Sequence, residues 1–573
     1  MSNFYRDNHD IHFHIKNMNL ERVIRLKETE FAEKDKYLEA PKDVEDAMDN
    51  YDRVLEIVGE IAGEFVAPRA AEVDIEGAQL IDGEVHYASG VREAIDRLKK
   101  SELMGFTLPR QYGGLNMPKT IYSVAIEIIS RADASVMNIF GLQEISDTIY
   151  KFGSEDQRQR YLPRFCSGEV LGSMALTEPD AGSDLQAVAL SARQKNGSWL
   201  LNGVKRFITN GCAQLSLVMA RSEENIAGGR GISLFIYERD ENMRIRRIEH
   251  KLGIHGSPTC ELQFNDAEAE LLGQRKLGLI KYTLSLLNGA RLAVSAQAIG
   301  IAEAAYREAD AYAKKRIQFK KPIYEFTAVY EMLTDMKISI EAGRTLLYET
   351  ARIVDIKDGL EDIIERHPER KADLQEELQR YTKYAALFTP TLKAYTTEMS
   401  NKVCYDAVQI HGGTGYMKEF NVERHARDAR ITNIYEGTTQ LQVIAAIGGV
   451  VTGVIFERLG DYEANHDFLP IADIFNKAQQ MRIYLETAVS YIKQLMEKSY
   501  QEFHSRRLVE MATDTMVSYL FCIDALKSER KKKVAQIFTS KALPGCKAKL
   551  EYIISDDRSL VDFHKDVLAE NNL

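Results

Sequence analysis

Paired cysteines, surplus positive charge and membrane-length apolar runs are all missing from this sequence of 573 residues, and tryptophan occurs once. Its six cysteines (Cys166, Cys212, Cys260, Cys404, Cys522, Cys546) are scattered with no CxxC pair. That spacing offers no metal cluster and suits a reducing compartment. His9, His12 and His14 alternate near the start, but no cysteine framework accompanies them. The lead-in therefore reads as a surface arm, and no metal is expected. A net charge of −11 disfavours a nucleic-acid partner. The most apolar run, Val443–Phe456, contains three glycines and is shorter than the ~18 residues a membrane helix requires. Residues 1–40 carry no cleavable apolar signal. The expectation is a cytoplasmic protein with neither membrane nor nucleic acid as partner.

What is present is ordinary for an enzyme: 45% hydrophobic and 28% charged residues, in a chain long enough for three or four domains of about 100–200 residues. Between 51 and 168 apolar residues recur at helical spacing (Val54, Leu55, Val58, Ile61, Ala62, Phe65), with Pro68 predicted to end that helix. After Gly172 the period changes. Asn196-Gly197 and Asn202-Gly203 read as hairpin turns between short strands, giving a β domain over 172–275. Helix returns near Gly278 and runs to Phe319. Arg291 and Arg316 are 25 residues apart in that run, hence about 37 Å apart at 1.5 Å per residue, so they cannot serve the same ligand group. The charged stretch 355–380 reads as a solvated helix–loop–helix, and segments beyond Pro470 as amphipathic helices. Arg530–Lys533 is a solvated face or partner contact, with an anion or nucleic-acid site as the alternative. The fold class is mainly α with a central β domain. It divides into an arm (1–50), a helical domain (51–170), a barrel-like β domain (171–275), a four-helix bundle (276–455) and an extra helical domain (456–573).

The chemistry concentrates in QIHGGTGYMKEFNVERHARDARITNIYEGTTQ, residues 409–440. Glycines and a basic run (Arg424, Arg427, Arg430) precede Glu436, which sits between Tyr435 and Gly437. Thr439 with Gln442 reads as a capping box, so a helix is predicted to begin just after Gly437 and to leave Glu436 on a turn at its mouth. Upstream, LTEPDAGSDL (176–185) offers the Thr177 and Ser183 hydroxyls, with close backbone approach at Gly182; it is either an anion loop or only a turn. In GVKRFITNG (203–211), Phe207 and Thr209 fall on one side of a strand by the period of two. An aromatic face beside a hydroxyl suits a flat heteroaromatic ring, though a core Phe and a solvent-facing Thr fit the same pattern.

Five blocks in register, LTEPDAGSD, GVKRFITNG, HKLGIHGSPTCEL, KKRIQFKKPI and QIHGGTGY…RDARITNIYEGTTQ, resemble the acyl-CoA dehydrogenase family. Its members are flavoproteins that oxidise acyl-CoA thioesters between the α and β carbons. The resemblance implies FAD as cofactor, with Leu176, Thr177, Gly182, Ser183, Phe207 and Thr209 at the flavin; many members carry Trp where this chain has Phe207. It implies that Arg316, Gln318 and Phe319, with Gln409 and Gly413, reach the FAD of a neighbouring subunit. Thr438 and Gln440 match adenosine- and pyrophosphate-side positions. Glu436 matches the catalytic base. Some relatives carry the base just before the arginine matching Arg291, but here that position is Ala290, which has no proton chemistry. Ser183, Asn288, Arg291, Tyr435 and Gly437 match substrate-side positions, although an acidic residue is common where Asn288 stands. The implied partners are an acyl-CoA, an electron-transfer flavoprotein and a second copy of the chain, a dimer being favoured over a tetramer. Length and the 388–395 segment FTPTLKAY resemble the subgroup containing methylthiopropionyl-CoA dehydrogenases. The rival readings are an acyl-CoA oxidase, which would form peroxide without another acceptor, and a flavin-bearing DNA-protection protein of the same fold.

Overall fold

In the computed structural model, which describes residues 2–569, the chain starts with two short helices, α1 (His9–Asn17) and α2 (Glu21–Lys27). The expected surface arm is corrected here. Ile11, Ile15, Val23 and Ile24 are buried, and Arg344 Nη1 donates to Asp10 at 2.6 Å. Apolar side chains at helical spacing and a buried ion pair anchor the segment in the core. Pro68 likewise does not end the next helix. After α3 (Val44–Glu60), a π-turn (Ile61–Val66) and a 3-10 turn (Ala67–Arg69) lead into α4 (Ala70–Glu76). A proline in the first turn of a helical segment loses only an N–H that has no helical partner there. A hairpin of β1 (Gln79–Ile81) and β2 (Glu84–His86) follows, then α5 (Ser89–Lys100), α6 (Lys119–Ala132), α7 (Ala134–Gly141), α8 (Ile145–Phe152) and α9 (Glu155–Cys166). Helix α6 is apolar nearly all round because it packs against several elements, among them α3.

The central region forms β3 (Gly172–Ala175), β4 (Ser191–Lys195), β5 (Ser198–Thr209), β6 (Leu215–Arg221), β7 (Ile232–Glu238), β8 (Met243–Ile248) and β9 (Thr259–Leu271). Their pairings close a ring, β6–β4–β5–β9–β7 and back to β6, so the mixed sheet is barrel-like. Asn196 and Gly197, both at positive φ (+53° and +92°), turn β4 into β5, as an Asn-Gly hairpin should. Asn202-Gly203 makes no hairpin. It lies inside β5 at a register shift, with Gly203 at φ +141° and an added Cβ only 3.0 Å from Leu190 Cα. That bulge bends a single long strand where the sequence suggested two short ones.

The second helical block contains α10 (Leu284–Lys315), a small hairpin of β10 (Ile317–Gln318) and β11 (Lys321–Pro322), α11 (Thr327–Arg366), α12 (Lys371–His411), α13 (Val422–Ala429), α14 (Thr439–Val451) and α15 (Val454–Asn465). Helices α10, α11, α12 and α14 form the bundle, and α10 also packs on α6. The charged stretch 355–380 is the tip of the α11–α12 hairpin. It is only partly solvated: Asp355 accepts from the Lys119 and Thr120 backbone N–H groups at 2.7 and 2.8 Å, and Asp358 pairs with Lys151 at 2.8 Å. The expectation that no apolar run reaches membrane length is corrected by the helical run Gly278–Lys315, which is long and apolar enough to cross a membrane, but 67% of its most apolar 18-residue window is buried in the fold; the α14–α15 pair is bent by 64°.

Helices α16 (Ala472–Leu495), α17 (Lys498–Ala525) and α18 (Glu529–Ile554) form a further bundle, followed by α19 (Ser559–Leu568); α17 packs on α14 and α11. The basic run at the start of α18 is a solvated face only in part: Arg530 and Lys533 are exposed, but Lys531 is not. Lys531 is buried against Asp10 and Glu341, and Arg530 Nη2 reaches Glu341 at 2.5 Å. The first and last segments of the chain are therefore joined by charge.

Candidate active site

The β barrel, α7, α10 and the α13–α14 connection enclose a cleft of about 1010 Å³. Glu436 stands on its wall because the chain turns left-handed twice: Glu436 is at φ +54° and Gly437 at φ +90°. The first is unfavourable for any residue with a Cβ, so neighbours must hold it. Lys393 Nζ donates to the Tyr435 and Gly437 carbonyls at 2.9 and 2.7 Å. Gln442 Nε2 donates to the Glu436 and Gly437 carbonyls at 3.2 and 2.9 Å. A Cβ at Gly437 would sit at a φ of +90° and 2.7 Å from Gln442 Nε2, so glycine is favoured there.

The predicted helix does begin at Thr439, but the capping box does not form. Thr439 donates its hydroxyl to Glu398 at 2.6 Å, and Gln442 is spent on the carbonyls of the turn. Burial pushes the Glu436 carboxyl above its ordinary 4.5, opposed by the Lys393 and Arg291 charges. Its carboxylate accepts no hydrogen bond among the described residues. Arg291 is held by Asn288 Oδ1 at 2.9 Å, and burial lowers its pKa against the pull of Glu436. Tyr435 donates to Gln297, which in turn donates to Asn138 at 2.9 Å. That chain fixes the tyrosine ring as a wall of the cleft.

Across the cleft, Leu176, Thr177, Gly182 and Ser183 come from the loop after β3, and Phe207 and Thr209 from the end of β5. The alternation expected of β5 breaks at Phe207, which sits at φ +60° beside a second register shift. The bulge turns an aromatic ring, 52% exposed, into the cleft, with the Arg206 guanidinium 4.6 Å from its centroid. At Gly182 an added Cβ would meet only Thr177 Cγ2, at 3.9 Å, so the loop leaves room. An open aromatic face, flanking hydroxyls and an uncrowded loop fit a flat heteroaromatic cofactor. Beneath them Glu178 accepts from Ala189 N, Leu190 N and Lys205 Nζ at 2.7, 3.0 and 2.8 Å, and Lys205 also donates to Leu176 O at 2.8 Å.

Family models match along most of the chain: the acyl-CoA dehydrogenase N-terminal domain over residues 49–169, the middle domain over 173–267, the C-terminal domain over 280–447, and the model described as "Acyl-CoA dehydrogenase C terminal" over 451–557. An acyl-CoA dehydrogenase of Bacillus subtilis is 39% identical over 357 residues, 61% of this chain and 87% of that protein. The chain belongs to the acyl-CoA dehydrogenase family. It is thereby an oxidoreductase of acyl-CoA thioesters. The 3-methylmercaptopropionyl-CoA dehydrogenase of Ruegeria pomeroyi is 34% identical over 433 residues, 70% of each chain. An acyl-CoA dehydrogenase of Bacillus anthracis, solved in complex with FAD, covers 92% of each chain at TM-score 0.76 and 22% identity. At that identity the likeness is one of fold, and it extends into the C-terminal helices.

The cleft of this acyl-CoA dehydrogenase gathers Leu176, Thr177, Gly182, Ser183, Phe207, Thr209, Arg291, Tyr435, Glu436, Gly437 and Thr438, with Ala290 among its walls. Asn288 acts one step back, through Arg291. Gln440 is exposed and does not line the cleft. A second group lies at the far end of α10: Arg316 caps the helix, Gln318 and Phe319 enter the β10–β11 turn with Phe319 89% exposed, Gln409 is in the last turn of α12 and Gly413 in the 3-10 turn that follows it. Tyr312 links the two parts, stacking on His411 at 4.3 Å and sharing a 3.1 Å hydrogen bond with Thr414. This group is outside its own chain's cleft. The arginines of 424–430 include structural partners, Arg427 pairing with Asp74 at 2.6 Å and Arg430 with Asn433 at 2.6 Å. Sequence reasoning missed Lys393, Glu178 and Lys205, and gave Gln442 a capping role where it holds the turn. A lysine set among apolar residues in FTPTLKAY was the one available sign.

Proposed function

We propose that the enzyme converts an acyl-CoA to its trans-2-enoyl-CoA, with Glu436 removing the α-proton and an electron-transfer flavoprotein taking the electrons onward. The observation that carries this reading is the Glu436 carboxylate itself: aimed into a cleft, raised in pKa by burial and, among the described residues, without a hydrogen-bond partner. A carboxylate of ordinary pKa is a weak base for a thioester α-proton, and burial strengthens it. The N-terminus of α14 beside it works in the opposite direction, as do Lys393 and Arg291, so that burial raises the carboxyl against three positive influences. The same positive environment favours negative charge developing on the thioester oxygen as the proton leaves. Ala290 offers no competing base. FAD, when bound, supplies the acceptor for the hydride leaving the β-carbon. Thr177, Ser183, Phe207 and Thr209 would hold its ring system, and Tyr435 would wall the acyl chain. Arg316, Gln318, Phe319, Gln409 and Gly413 support a cofactor contact across subunits, because they are exposed together far from their own cleft. The packing of α17 on α14 and α11 supports a dimer over a larger assembly.

The test is anaerobic bleaching of the bound flavin by acyl-CoAs of graded length and branching. Glu436→Gln is expected to bind acyl-CoA and leave the flavin oxidised. Native reduction rates in that variant would remove Glu436 from the role.

A further inference from the structure

Three lysines are buried among the described residues: Lys205, Lys393 and Lys531. Lys205 Nζ is matched to Glu178 at 2.8 Å and Lys531 Nζ to Glu341 at 2.9 Å. Among the described residues, Lys393 has no carboxylate at that range. Its ammonium is spent on two backbone carbonyls, Tyr435 O and Gly437 O, which flank Glu436. A buried ammonium without an ion-pair partner is costly, and burial draws Lys393 down to about 8, with Glu436 and Glu398 pulling it up and Arg291 pushing it further down. Helix α12 could have met the same carbonyls with a neutral donor. What a lysine adds is charge beside the carboxylate, and the influence is mutual, since Lys393 and then Arg291 are the cations that restrain the rise in Glu436.

We infer that Lys393 is a positioning residue for the proton abstraction, pinning the left-handed turn that aims Glu436 into the cleft and setting a positive charge beside its carboxylate. This rests on the assignment of Glu436 as base. The groups facing the pair are Arg291 from α10, Tyr435 from the turn and Glu398 from α12; among the described residues Arg291 is the only other cation that acts on Glu436. With a neutral side chain at 393 the turn loses two hydrogen bonds and Glu436 loses its larger restraint. Its pKa then rises further, and the fraction of base competent to take a proton falls on the acid side.

The experiment is anaerobic stopped-flow reduction of the FAD-loaded enzyme across pH, using the acyl-CoA that bleaches the wild type fastest, butyryl-CoA being tried first. Lys393→Met is expected to move the ascending limb of the rate–pH profile upward by about one pH unit or more, the size of effect an adjacent opposite charge exerts. Acid-side rates then fall about tenfold relative to the plateau for each pH unit the limb moves. Lys393→Arg keeps the charge and is expected to keep the limb in place, whatever its plateau. Lys393→Gln, neutral but still a donor, carries the same prediction as Lys393→Met where that variant fails to retain flavin. A limb unmoved in the neutral variants, with rates lowered uniformly or unchanged, overturns the inference and leaves Lys393 as a support for the turn. Glu436→Gln, run alongside, separates the two claims: native rates there remove the base itself, whereas an inactive Glu436→Gln with an unmoved Lys393→Met limb removes only the role of Lys393.

Discussion

Two regions of this molecule bury charge, and they do so to opposite ends. At the junction of α1, α6, α10, α11 and α18, Arg344 is fully enclosed and fully used. It donates to Asp10 at 2.6 Å, to Glu127 at 2.6 Å and to Glu303 at 3.0 Å, while Tyr348 donates to Glu127 at 2.8 Å. Burial alone would raise Asp10 and Glu303; Lys531 and Arg344 for Asp10, and Lys337 and Arg344 for Glu303, hold both well below the carboxylate range. In the cleft the same ingredients are left open. The Glu436 carboxylate is unbonded, Lys393 is spent on carbonyls, and Arg291 has a buried Nε without a partner among the described residues. An ion-paired network stabilises one arrangement of the chain, even with Asp10 Oδ1 meeting Lys531 as a charge and not as a hydrogen bond, whereas the unpaired Glu436 leaves a carboxylate open to the cleft. The comparison separates two kinds of perturbed charge that look alike by burial alone.

The largest effect expected from breaking it is at the open end. Glu436→Gln should lower flavin reduction by about 10²–10⁴-fold, the range for loss of a general base, while leaving the thermal midpoint nearly unchanged because the carboxylate makes no hydrogen bond to lose. At the closed end the pattern should invert. Arg344→Met leaves three buried carboxylates without their common partner and should destabilise the fold by about 3–5 kcal/mol, read by denaturant unfolding. The rate per bound flavin should stay within about twofold, since Arg344 touches none of the cleft. The sign with pH follows from the depressed values. Asp10 and Glu303 bind protons more weakly folded than unfolded, so their stabilisation is complete above their ordinary values of 3.8 and 4.5 and is lost as pH falls below them. Acid should therefore loosen the wild type and do less to Arg344→Met.

Between these lies the turn itself. Gly437→Ala puts a Cβ on a residue at φ +90° and against Gln442 Nε2, a strain of about 2 kcal/mol. Because the strained residue follows Glu436, the expected loss is in rate as well as stability, about tenfold in flavin reduction for a carboxylate displaced from its line of attack.

How much of this was readable beforehand depends on the range over which each feature is decided. Helical and strand periods are local, and they placed the helical blocks and the β domain. Motif blocks are local too, and the cleft gathers Leu176, Thr177, Phe207 and Glu436 from them. What escaped is set by partners distant in sequence. Lys393 acts on carbonyls 42 and 44 residues away, and carbonyls leave no trace in a sequence. Asp10 meets Arg344 across 334 residues, so a polar lead-in gave no hint of being half of a buried network. Phe207 reached the cleft by a bulge that broke the alternation used to place it there.

Thr439 shows how a local pattern can be right about a boundary and wrong about its cause. Thr439 and Gln442 have the spacing of a capping box, and α14 does begin there, yet neither side chain caps it. The hydroxyl ties α14 to Glu398 on α12, and Gln442 holds the carbonyls beside Glu436. The two accounts differ in what Thr439→Val should do. A lost cap frays the first turn of α14 and loosens Glu436 with it, lowering the rate. A lost Thr439–Glu398 bond removes about 1 kcal/mol of stability and leaves the turn in the grip of Lys393 and Gln442. The expected result is a small fall in thermal midpoint with flavin reduction within about threefold of wild type, a change under about 1 kcal/mol in the barrier. A larger fall in rate would make the helix start, and not the two side chains beneath the turn, the element that holds the base.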